Sequence, residues 1–352
     1  MSLHDEIHEQ PDAARRLLSG QRAVVDGIAA AIAGRDIDVV LIAARGSSDH
    51  AAIYAQYLFG ALHRIPVALA APALTSVYGV QPRVERALVI GISQSGRSPD
   101  VVGVLDAARG QGAPTIAITN DPASALARAS DHVIDISAGA ERATAATKTY
   151  TMSLLAVAML AAAMDGGTGF AGDRAARMAA LDALPGVMGQ ALAGESQVEA
   201  VAASRADLDR CIVLGRGFEY ATAREWALKL KELAQVAADP YSAADFQHGP
   251  LALVEPGYPI LAVAPSGAAL AGMTELLRRL RDEHGVDLVV ISDDPATQAL
   301  GAAALPTPTA PAEWLSPLVS TLPAQLFAYH VTRARGRDTE QPRWICKVTL
   351  TH

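Results

Sequence analysis

The chain has only two cysteines among its 352 residues, and aromatic side chains make up 5% of it. Cys211 and Cys346 are too few for a disulfide framework or for a cysteine-ligated zinc site. We therefore expect two reduced thiols in a cytoplasmic protein. Because 51% of the residues are nonetheless hydrophobic, the cores must be built mainly from Ala, Val, Ile and Leu. This composition suits buried parallel strands covered by alanine-rich helices.

An excess of positive charge and long apolar runs are also lacking. The net charge of −8 argues against nucleic acid or an anionic membrane as the main partner. The N-terminal residues MSLHDEIHEQ contain no apolar signal core. The longest apolar helix candidate, Met152 to Met164, is shorter than the roughly 20 residues that span a bilayer. We expect no nucleic acid or membrane partner, whereas an anionic small molecule remains a suitable ligand.

Two stretches of the sequence repeat each other. VVLIAARGSS, from Val39, matches CIVLGRGFE, from Cys211, so that Arg45-Gly46 aligns with Arg216-Gly217. The same offset aligns Ser95-Gly96 with Ser266-Gly267. Two matches at one offset indicate a duplicated unit. The hydroxyl groups differ between the copies, which predicts different roles for the two halves.

Apolar strand patterns alternate with helical patterns in both copies, which predicts parallel sheets flanked by helices. The fold class expected is α/β, with two tandem doubly wound parallel-sheet domains of flavodoxin-like type related by internal duplication. We expect N-terminal helices in residues 1–35, a first domain in 36–172, a helical connector in 173–194, a second domain in 195–335 and a C-terminal tail in 336–352. The predicted strands are Val39–Ala44, Val67–Ala70, Ala87–Ile92, Thr115–Thr119, His132–Ile136, Cys211–Leu214, Pro259–Ala264, Asp287–Ile291 and Ala303–Pro306.

Two hydroxyl-rich turns in the first half predict a phosphate site. Ser93, Gln94, Ser95 and Ser98 lie in GISQSGRSPD between an apolar strand and a helix, and Ser48 lies in the similar turn GSS. Free backbone N–H groups and the helix dipole favour an anion at such a helix N-terminus. The alternative interpretation is that these serines only cap helices. Neither a P-loop nor a complete dinucleotide fingerprint is present, so we expect no nucleotide cofactor.

A second group of residues is suited to proton transfer. In EWALKLKELAQ, Glu225, Lys229 and Glu232 share one face of a predicted helix. His248 follows in a polar loop. Carboxylate, imidazole and lysine groups together can move protons next to a sugar carbonyl. The alternative is that the charged face is solvated and forms ordinary ion pairs, and that the histidine is structural.

Five motifs in order give the chain a family resemblance that spans nearly its whole length. They are SQSGRSPD, ERATAATKTYT, EWALKLKELA, DFQHGPLAL and EQPRWICKVT. In these motifs the chain resembles the tandem sugar isomerase (SIS) domain proteins. It is most similar to the isomerase half of glucosamine-6-phosphate synthase (glutamine–fructose-6-phosphate aminotransferase) and to stand-alone glucosamine-6-phosphate deaminases of the isomerase type.

The resemblance implies roles for particular residues. The phosphate loop corresponds to the five residues of the two turns described above. Glu232 matches the proton-transfer glutamate, Lys229 the lysine on the same helix, and His248 the ring-opening histidine. Because the family donates this histidine from the partner subunit, the resemblance implies a homodimer. Lys347 matches the lysine that contacts the sugar carbonyl end and can form an imine. The remaining expected sugar contacts are Thr144, Glu225 and Cys346.

The departures from the family pattern bear on the reaction. Arg97 replaces an acidic residue of the loop, Asp245 replaces a glutamate, and Ala146 replaces a serine that contacts a sugar hydroxyl in the synthase. The N-terminal glutaminase domain of the synthase has no counterpart here, so we expect a deaminase that converts glucosamine 6-phosphate and water to fructose 6-phosphate and ammonia.

Several other functions remain open. The chain could be a fructosamine-6-phosphate deglycase or another phosphosugar isomerase. It could be an ammonia-dependent or two-chain synthase, or a non-catalytic sugar-phosphate sensor. The sequence spacing shows no cluster of metal ligands, and no metal is expected.

Overall fold

The computed structural model describes residues 2–347. These residues form two compact units. The first unit comprises residues 12–141, 148–182 and 346–347. The second unit comprises residues 2–11, 142–147 and 183–345. Each unit contains one five-stranded sheet.

Helices and strands alternate along most of the chain. Up to residue 163 the elements are α1 (Leu3–His8), α2 (Gln10–Ile32), β1 (Val39–Ala43), α3 (Ser47–His63), β2 (Val67–Leu69), α4 (Ala73–Ser76), β3 (Ala87–Ile92), α5 (Pro99–Gly110), β4 (Thr115–Thr119), α6 (Ala125–Arg128), β5 (His132–Asp135) and α7 (Lys148–Ala163). They continue with α8 (Arg174–Ala193), α9 (Glu195–Ala203), β6 (Arg210–Gly215), α10 (Glu219–Lys229), β7 (Ala237–Ser242), α11 (Ala243–Phe246), β8 (Pro259–Val263), α12 (Leu270–His284), β9 (Asp287–Ser292), α13 (Pro295–Gln298), β10 (Ala303–Pro306) and α14 (Ser316–Ala334).

The sheet of the first unit is parallel throughout, in the order β2-β1-β3-β4-β5. This is the strand order of flavodoxin-like folds, whose ligands bind beyond the carboxyl ends of the strands at the point where the order reverses. Here β1 and β3 are neighbours, and Ala43 pairs with Gly91 at their carboxyl ends. The turns that leave these two strands therefore begin at the same edge of the sheet. Helix α7, buried along its whole length, packs against α3.

The sheet of the second unit follows the same path. Its order is β10-β9-β8-β6-β7, again parallel throughout. With β6 in the place of β1, the five strands occur in the same sequence as in the first sheet. The predicted fold class, two parallel α/β sheets related by duplication, is confirmed. Helix α14 is buried on nearly all sides and packs against α9 and α10.

One strand was missing from the sequence prediction. Strand β7, with the sequence AADPYS, forms the edge of the second sheet beside β6. It is only partly buried and includes Pro240, which is tolerated at a sheet edge because that position needs fewer ladder hydrogen bonds. Its polar character therefore hides it from a search for apolar runs.

No helix in residues 2–347 has both the length and the apolar character required to cross a bilayer.

Candidate active site

The hydroxyl-rich turns after β1 and β3 lie at the N-termini of α3 and α5. Ser48 is the second residue of α3, and Ser98 is the N-cap residue of α5. Between them in the chain, the Ser93 hydroxyl accepts a hydrogen bond from the Gly96 N–H at 3.2 Å. The Ser95 hydroxyl accepts one from the Arg97 N–H at 3.4 Å. These serines follow adjacent strands, as the predicted phosphate site requires.

Glycine is required within the second turn. Gly96 has a φ of +59°, a conformation that L side chains rarely adopt. A Cβ at this position would also lie 2.1 Å from Oγ of Ser124. The chain therefore turns tightly enough to direct the hydroxyls and N–H groups that follow towards the helix terminus. Gln94 takes part through its backbone, since its carbonyl accepts a hydrogen bond from the Asn120 N–H at 3.1 Å.

The side chains of this region argue against simple helix capping. Ser98 makes no side-chain capping bond to α5, and the N-cap residue of α3 is Gly46. By contrast, the Ser124 hydroxyl caps α6 by accepting a hydrogen bond from the Ala127 N–H at 3.2 Å. The hydroxyl of Ser98 is therefore not used to cap α5. It lies at a helix N-terminus, where a bound anion is favoured.

Arg45 links the two turns and has no role in the sequence prediction. Its Nε lies 2.8 Å from Oδ2 of Asp100, a buried residue in the first turn of α5. Because Arg45 follows β1, this ion pair ties the first turn to the helix that begins the second. The repeated Arg-Gly dipeptide singled out this position, but the identity of its partner required the structure.

The equivalent turns of the second unit contain carboxylates. Glu219 aligns with Ser48 and is buried at the start of α10. Its carboxylate accepts hydrogen bonds from the hydroxyls of Ser316 at 2.5 Å, Thr222 at 2.6 Å and Ser320 at 3.1 Å. Burial raises the pKa of Glu219, although these hydroxyls oppose the shift. This side chain takes the place of Ser48 at the start of the helix.

The turn that follows β8 also has its backbone N–H groups bonded to carboxylates. After β8, Oε1 of Glu313 accepts a hydrogen bond from the Ala268 N–H at 2.7 Å, and Oδ1 of Asp293 accepts one from the Ser266 N–H at 2.6 Å. The backbone donors that could hold an anion are therefore occupied by the chain's own acids. The second copy keeps Ser266 but lacks the other serines of the first-copy turns.

The acid–base residues lie where α10 ends. Leu230–Ala234 form a π-helical turn that continues α10, a local feature often found at functional sites. Nζ of Lys229 lies 3.4 Å from Oε1 of Glu225 and contacts Oε2 of Glu232 directly. Glu225 and Lys229 are each 1% exposed, whereas Glu232 is 23% exposed. The interpretation as a solvated charged face is therefore wrong.

The charge of Lys229 follows from these neighbours. Burial opposes the ammonium form, but the carboxylates of Glu225 and Glu232 outweigh it and hold the pKa of Lys229 above its usual value. The side chain is thus a cation at neutral pH and is not available as a nucleophile. Its ammonium group contacts the carboxylate of Glu232, the only member of the three with substantial access to solvent.

His248 lies in an exposed turn after α11, next to Gly249, whose φ is +135°. Its ring makes no hydrogen bond to another residue in the part of the chain that the structure describes. This placement is compatible with a histidine that acts on a ligand bound elsewhere in an assembly.

Lys347 is held by a residue to which the sequence analysis gave no role. Its Nζ lies 2.5 Å from Oε2 of Glu141, whose side chain is fully buried. Glu141 in turn accepts hydrogen bonds from the N–H of Thr149 at 3.0 Å and from its hydroxyl at 2.7 Å. The carboxylate therefore both stabilises the start of α7 and fixes the lysine. Its position in ERATAATKTYT, close to the motif's threonines, was the available signal.

The other predicted sugar contacts, Thr144, Glu225 and Cys346, lie in three different local environments. The Thr144 hydroxyl donates to the Glu340 carbonyl at 3.2 Å. Cys346 is exposed, whereas Cys211 is buried in β6, where burial raises its pKa to about 12. Glu225 is enclosed with Lys229, so any contact it makes with a sugar requires that pair to open. These three sugar assignments remain predictions.

Comparison with known proteins identifies both repeats. The model of the SIS domain matches residues 35–163 and 206–334. A Pseudomonas putida protein named glutamine–fructose-6-phosphate aminotransferase (isomerizing) is 36% identical over 355 residues, which cover 97% of this chain and 57% of that protein. This chain thus spans little more than half the length of that relative.

Solved structures share the whole architecture. The C-terminal domain of glucosamine-fructose-6-phosphate aminotransferase from Francisella tularensis superposes with a TM-score of 0.86 at 27% identity, covering 97% of this chain and 98% of that one. A provisionally assigned phosphosugar isomerase from Silicibacter pomeroyi gives a TM-score of 0.83 at 34% identity, covering 96% and 100%.

Two N-cap serines provide a test of the phosphate turns. Ser124→Ala should lower the free energy of unfolding by about 1 kcal/mol because it removes a capping bond. Ser98→Ala should change it by less than about 0.5 kcal/mol, yet weaken the binding of a sugar phosphate. Urea unfolding and calorimetric titration measure the two effects. An equal loss of stability in both variants would identify Ser98 as a structural cap.

The buried lysine can be tested against a neighbour on the same helical segment. Lys229→Met should destabilise the fold by about 3–5 kcal/mol because it leaves a buried carboxylate without its partner. Lys231→Met, at an exposed position, should change stability by less than about 0.5 kcal/mol. Urea unfolding of both variants measures the difference. Similar stabilities would mean that Lys229 does not compensate the charge of Glu225.

Proposed function

Because the chain belongs to the SIS domain family, we propose that it processes a phosphorylated sugar by proton transfer between adjacent carbons. The reaction proposed is the conversion of glucosamine 6-phosphate and water to fructose 6-phosphate and ammonia. The observation that carries this proposal is the accessible carboxylate of Glu232 in contact with the buried ammonium of Lys229. A carboxylate with access to solvent can act as the base that removes a proton next to a carbonyl.

The proton moves between C2 and C1. His248 assists opening of the sugar ring by transferring a proton at the ring oxygen. Glu232 then takes the proton from C2 of the open-chain aldose and returns it to C1, while the C1 oxygen gains a proton and the nitrogen on C2 loses one. The amino group is left on C2 as an imine, and water hydrolyses this imine to the ketone and ammonia. Lys229 acts on Glu232 rather than on the sugar, since its ammonium stabilises the carboxylate.

Binding is assigned to the first unit. The hydroxyls of Ser48, Ser93, Ser95 and Ser98, together with Gln94, hold the phosphate at the N-termini of α3 and α5. Lys347 contacts the oxygen or nitrogen at C2. Because Lys347 is ion-paired with Glu141, we assign it a charge contact in preference to imine formation. The scheme uses only side chains and water, and one phosphosugar binds to each chain.

A second function is favoured by the name of the Pseudomonas putida relative, glutamine–fructose-6-phosphate aminotransferase. The same groups can run the reaction in the opposite direction and form glucosamine 6-phosphate from fructose 6-phosphate and ammonia. The deglycase acts on a ketose that carries a substituted amino group on C1, in place of an aldose that carries a free amino group on C2. The supply of ammonia and the space around C2 distinguish these reactions. A non-catalytic sensor would have no need for an accessible carboxylate at Glu232.

The reaction is tested by measuring both products. Glucosamine 6-phosphate should yield ammonia and fructose 6-phosphate in equal amounts. Glu232→Gln should abolish turnover and leave phosphosugar affinity nearly unchanged, because the amide keeps the shape of the side chain but cannot accept the proton. Glu283→Gln, at an exposed position on α12, is the matched control. Normal turnover in Glu232→Gln would overturn the assignment of the base.

Assays with other substrates distinguish the synthase, the deglycase and the sensor. A higher kcat/KM for forming glucosamine 6-phosphate from fructose 6-phosphate and ammonium than for deamination would support the synthase direction. Ammonia-free turnover of a fructosamine 6-phosphate would support the deglycase. Binding of phosphosugars without any turnover would support the sensor.

A shared active site is proposed for a homodimer in which His248 acts on the substrate of its partner subunit. The exposed ring of His248 is the observation that favours this arrangement. Subunits carrying His248→Ala and Glu232→Gln, each inactive alone, should recover activity when mixed, because one site of each mixed dimer then has both groups. Native mass spectrometry confirms that mixed dimers form. Mixed dimers without activity would exclude the exchange of His248.

A further inference from the structure

Three histidines converge on one carboxylate in the second unit. Nε2 of His4 and Nε2 of His330 lie 2.7 Å and 2.8 Å from Oε1 of Glu195. Nε2 of His8 lies 2.8 Å from Oε2 of the same side chain. None of these residues takes part in the proposed reaction. We propose that His4, His8, Glu195 and His330 form a binding site for a transition-metal ion of the Zn²⁺ class.

The arrangement is built by three helices. His4 and His8 are one helical turn apart on α1, so their rings lie on one face with centroids 4.5 Å apart. Glu195 is the first residue of α9, and His330 lies in α14. Imidazole nitrogen and carboxylate oxygen are the ligand types that Zn²⁺, Ni²⁺ and Cu²⁺ accept. A site of this composition selects these ions over Mg²⁺ or Ca²⁺, which prefer oxygen.

The distances fit a metal ion. One ligand atom from each of His4, His8 and Glu195 lies within 4.8 Å of the other two. Tetrahedral ligands with bonds of about 2.0–2.1 Å lie roughly 3.4 Å apart, so the set needs only a small adjustment to enclose an ion. His4 and His8 are each 36% exposed, which leaves the site open to solvent for entry of the ion.

A second carboxylate supports the same interpretation. Nδ1 of His330 lies 3.7 Å from Oε1 of Glu199, one turn further along α9. A carboxylate next to the distal nitrogen of a histidine orients the ring of a metal ligand and raises its basicity. His330 is only 5% exposed, so its ring is held between the two acids. It orients Glu195 through the hydrogen bond to Oε1, whereas His4, His8 and Glu195 supply the clustered ligand atoms.

The position of α1 suggests what the ion would do. In the same unit, Glu6 of α1 accepts hydrogen bonds from the N–H groups of Arg142, at 2.5 Å, and Ala143. The Leu3 N–H donates to the carboxylate of Glu340 at 3.0 Å, and the Glu340 carbonyl accepts from Thr144. A metal that ties α1 to α9 and α14 would therefore stabilise the segment that carries Thr144. The role is structural and does not depend on the proposed reaction.

The test uses untagged, full-length protein freed of metal by a chelator. Calorimetric titration with ZnCl₂ should show one strong site per chain, and Co²⁺ should give the visible absorption of a tetrahedral nitrogen–oxygen site. His8→Gln should weaken Zn²⁺ binding at least about tenfold and remove the Co²⁺ spectrum. His284→Gln, on α12, is the matched control and should change neither.

A second variant, at Glu199, tests the metal site independently of His8. Glu199→Gln leaves every direct ligand in place and should weaken binding about tenfold, so it tests the site even if His8→Gln fails to fold. Absence of Zn²⁺ and Co²⁺ binding by the wild-type protein would overturn the proposal. So would affinities unchanged in His8→Gln and Glu199→Gln, since the ion would then bind elsewhere. In that case the three histidines only form hydrogen bonds to Glu195, and these bonds hold α1 against α9.

Discussion

The proposed chemistry depends on the buried charge of Lys229. An ammonium group without solvent is unfavourable unless carboxylates compensate it, and two are present. Glu225 is as deeply buried as the lysine, whereas Glu232 remains partly exposed. The result is a carboxylate that contacts a buried ammonium group and is partly accessible to solvent. The π-helical turn that follows Lys229 brings Glu232 into contact with it.

Because of the duplication, both units have the same order of strands in their sheets. The residues in the turns after the strands differ. In the first unit, serine hydroxyls lie at the helix termini, and two of them accept hydrogen bonds from N–H groups of the turn. In the second unit, Asp293 and Glu313 accept the N–H groups of the turn after β8, and Glu219 places a buried carboxylate at the start of α10. A fold that presents helix N-termini at the carboxyl edge of a sheet creates an anion site wherever those donors are free. The proposed phosphate site lies in the copy that lacks these carboxylates.

Most of the architecture could be predicted from the sequence because parallel strands are continuous apolar runs. The nine predicted strands all occur, and β7 was missed because an edge strand tolerates proline and polar residues. The spacing of Glu225, Lys229 and Glu232 was visible, but their burial was not, because it depends on the packing of α10 against α14. The partners of Arg45 and Lys347 are distant in the chain. His4 and Glu195 are 191 residues apart, and spacing alone cannot bring such residues together.

The central claim is that one copy of the duplicated turn binds phosphate and the other excludes it. A crystal structure of the complex with fructose 6-phosphate tests this claim most directly. The account predicts phosphate density at the N-termini of α3 and α5, within hydrogen-bonding distance of Ser95 and Ser98, and none at the start of α10. Density beside Glu219, or a phosphosugar bound away from both serines, would contradict it.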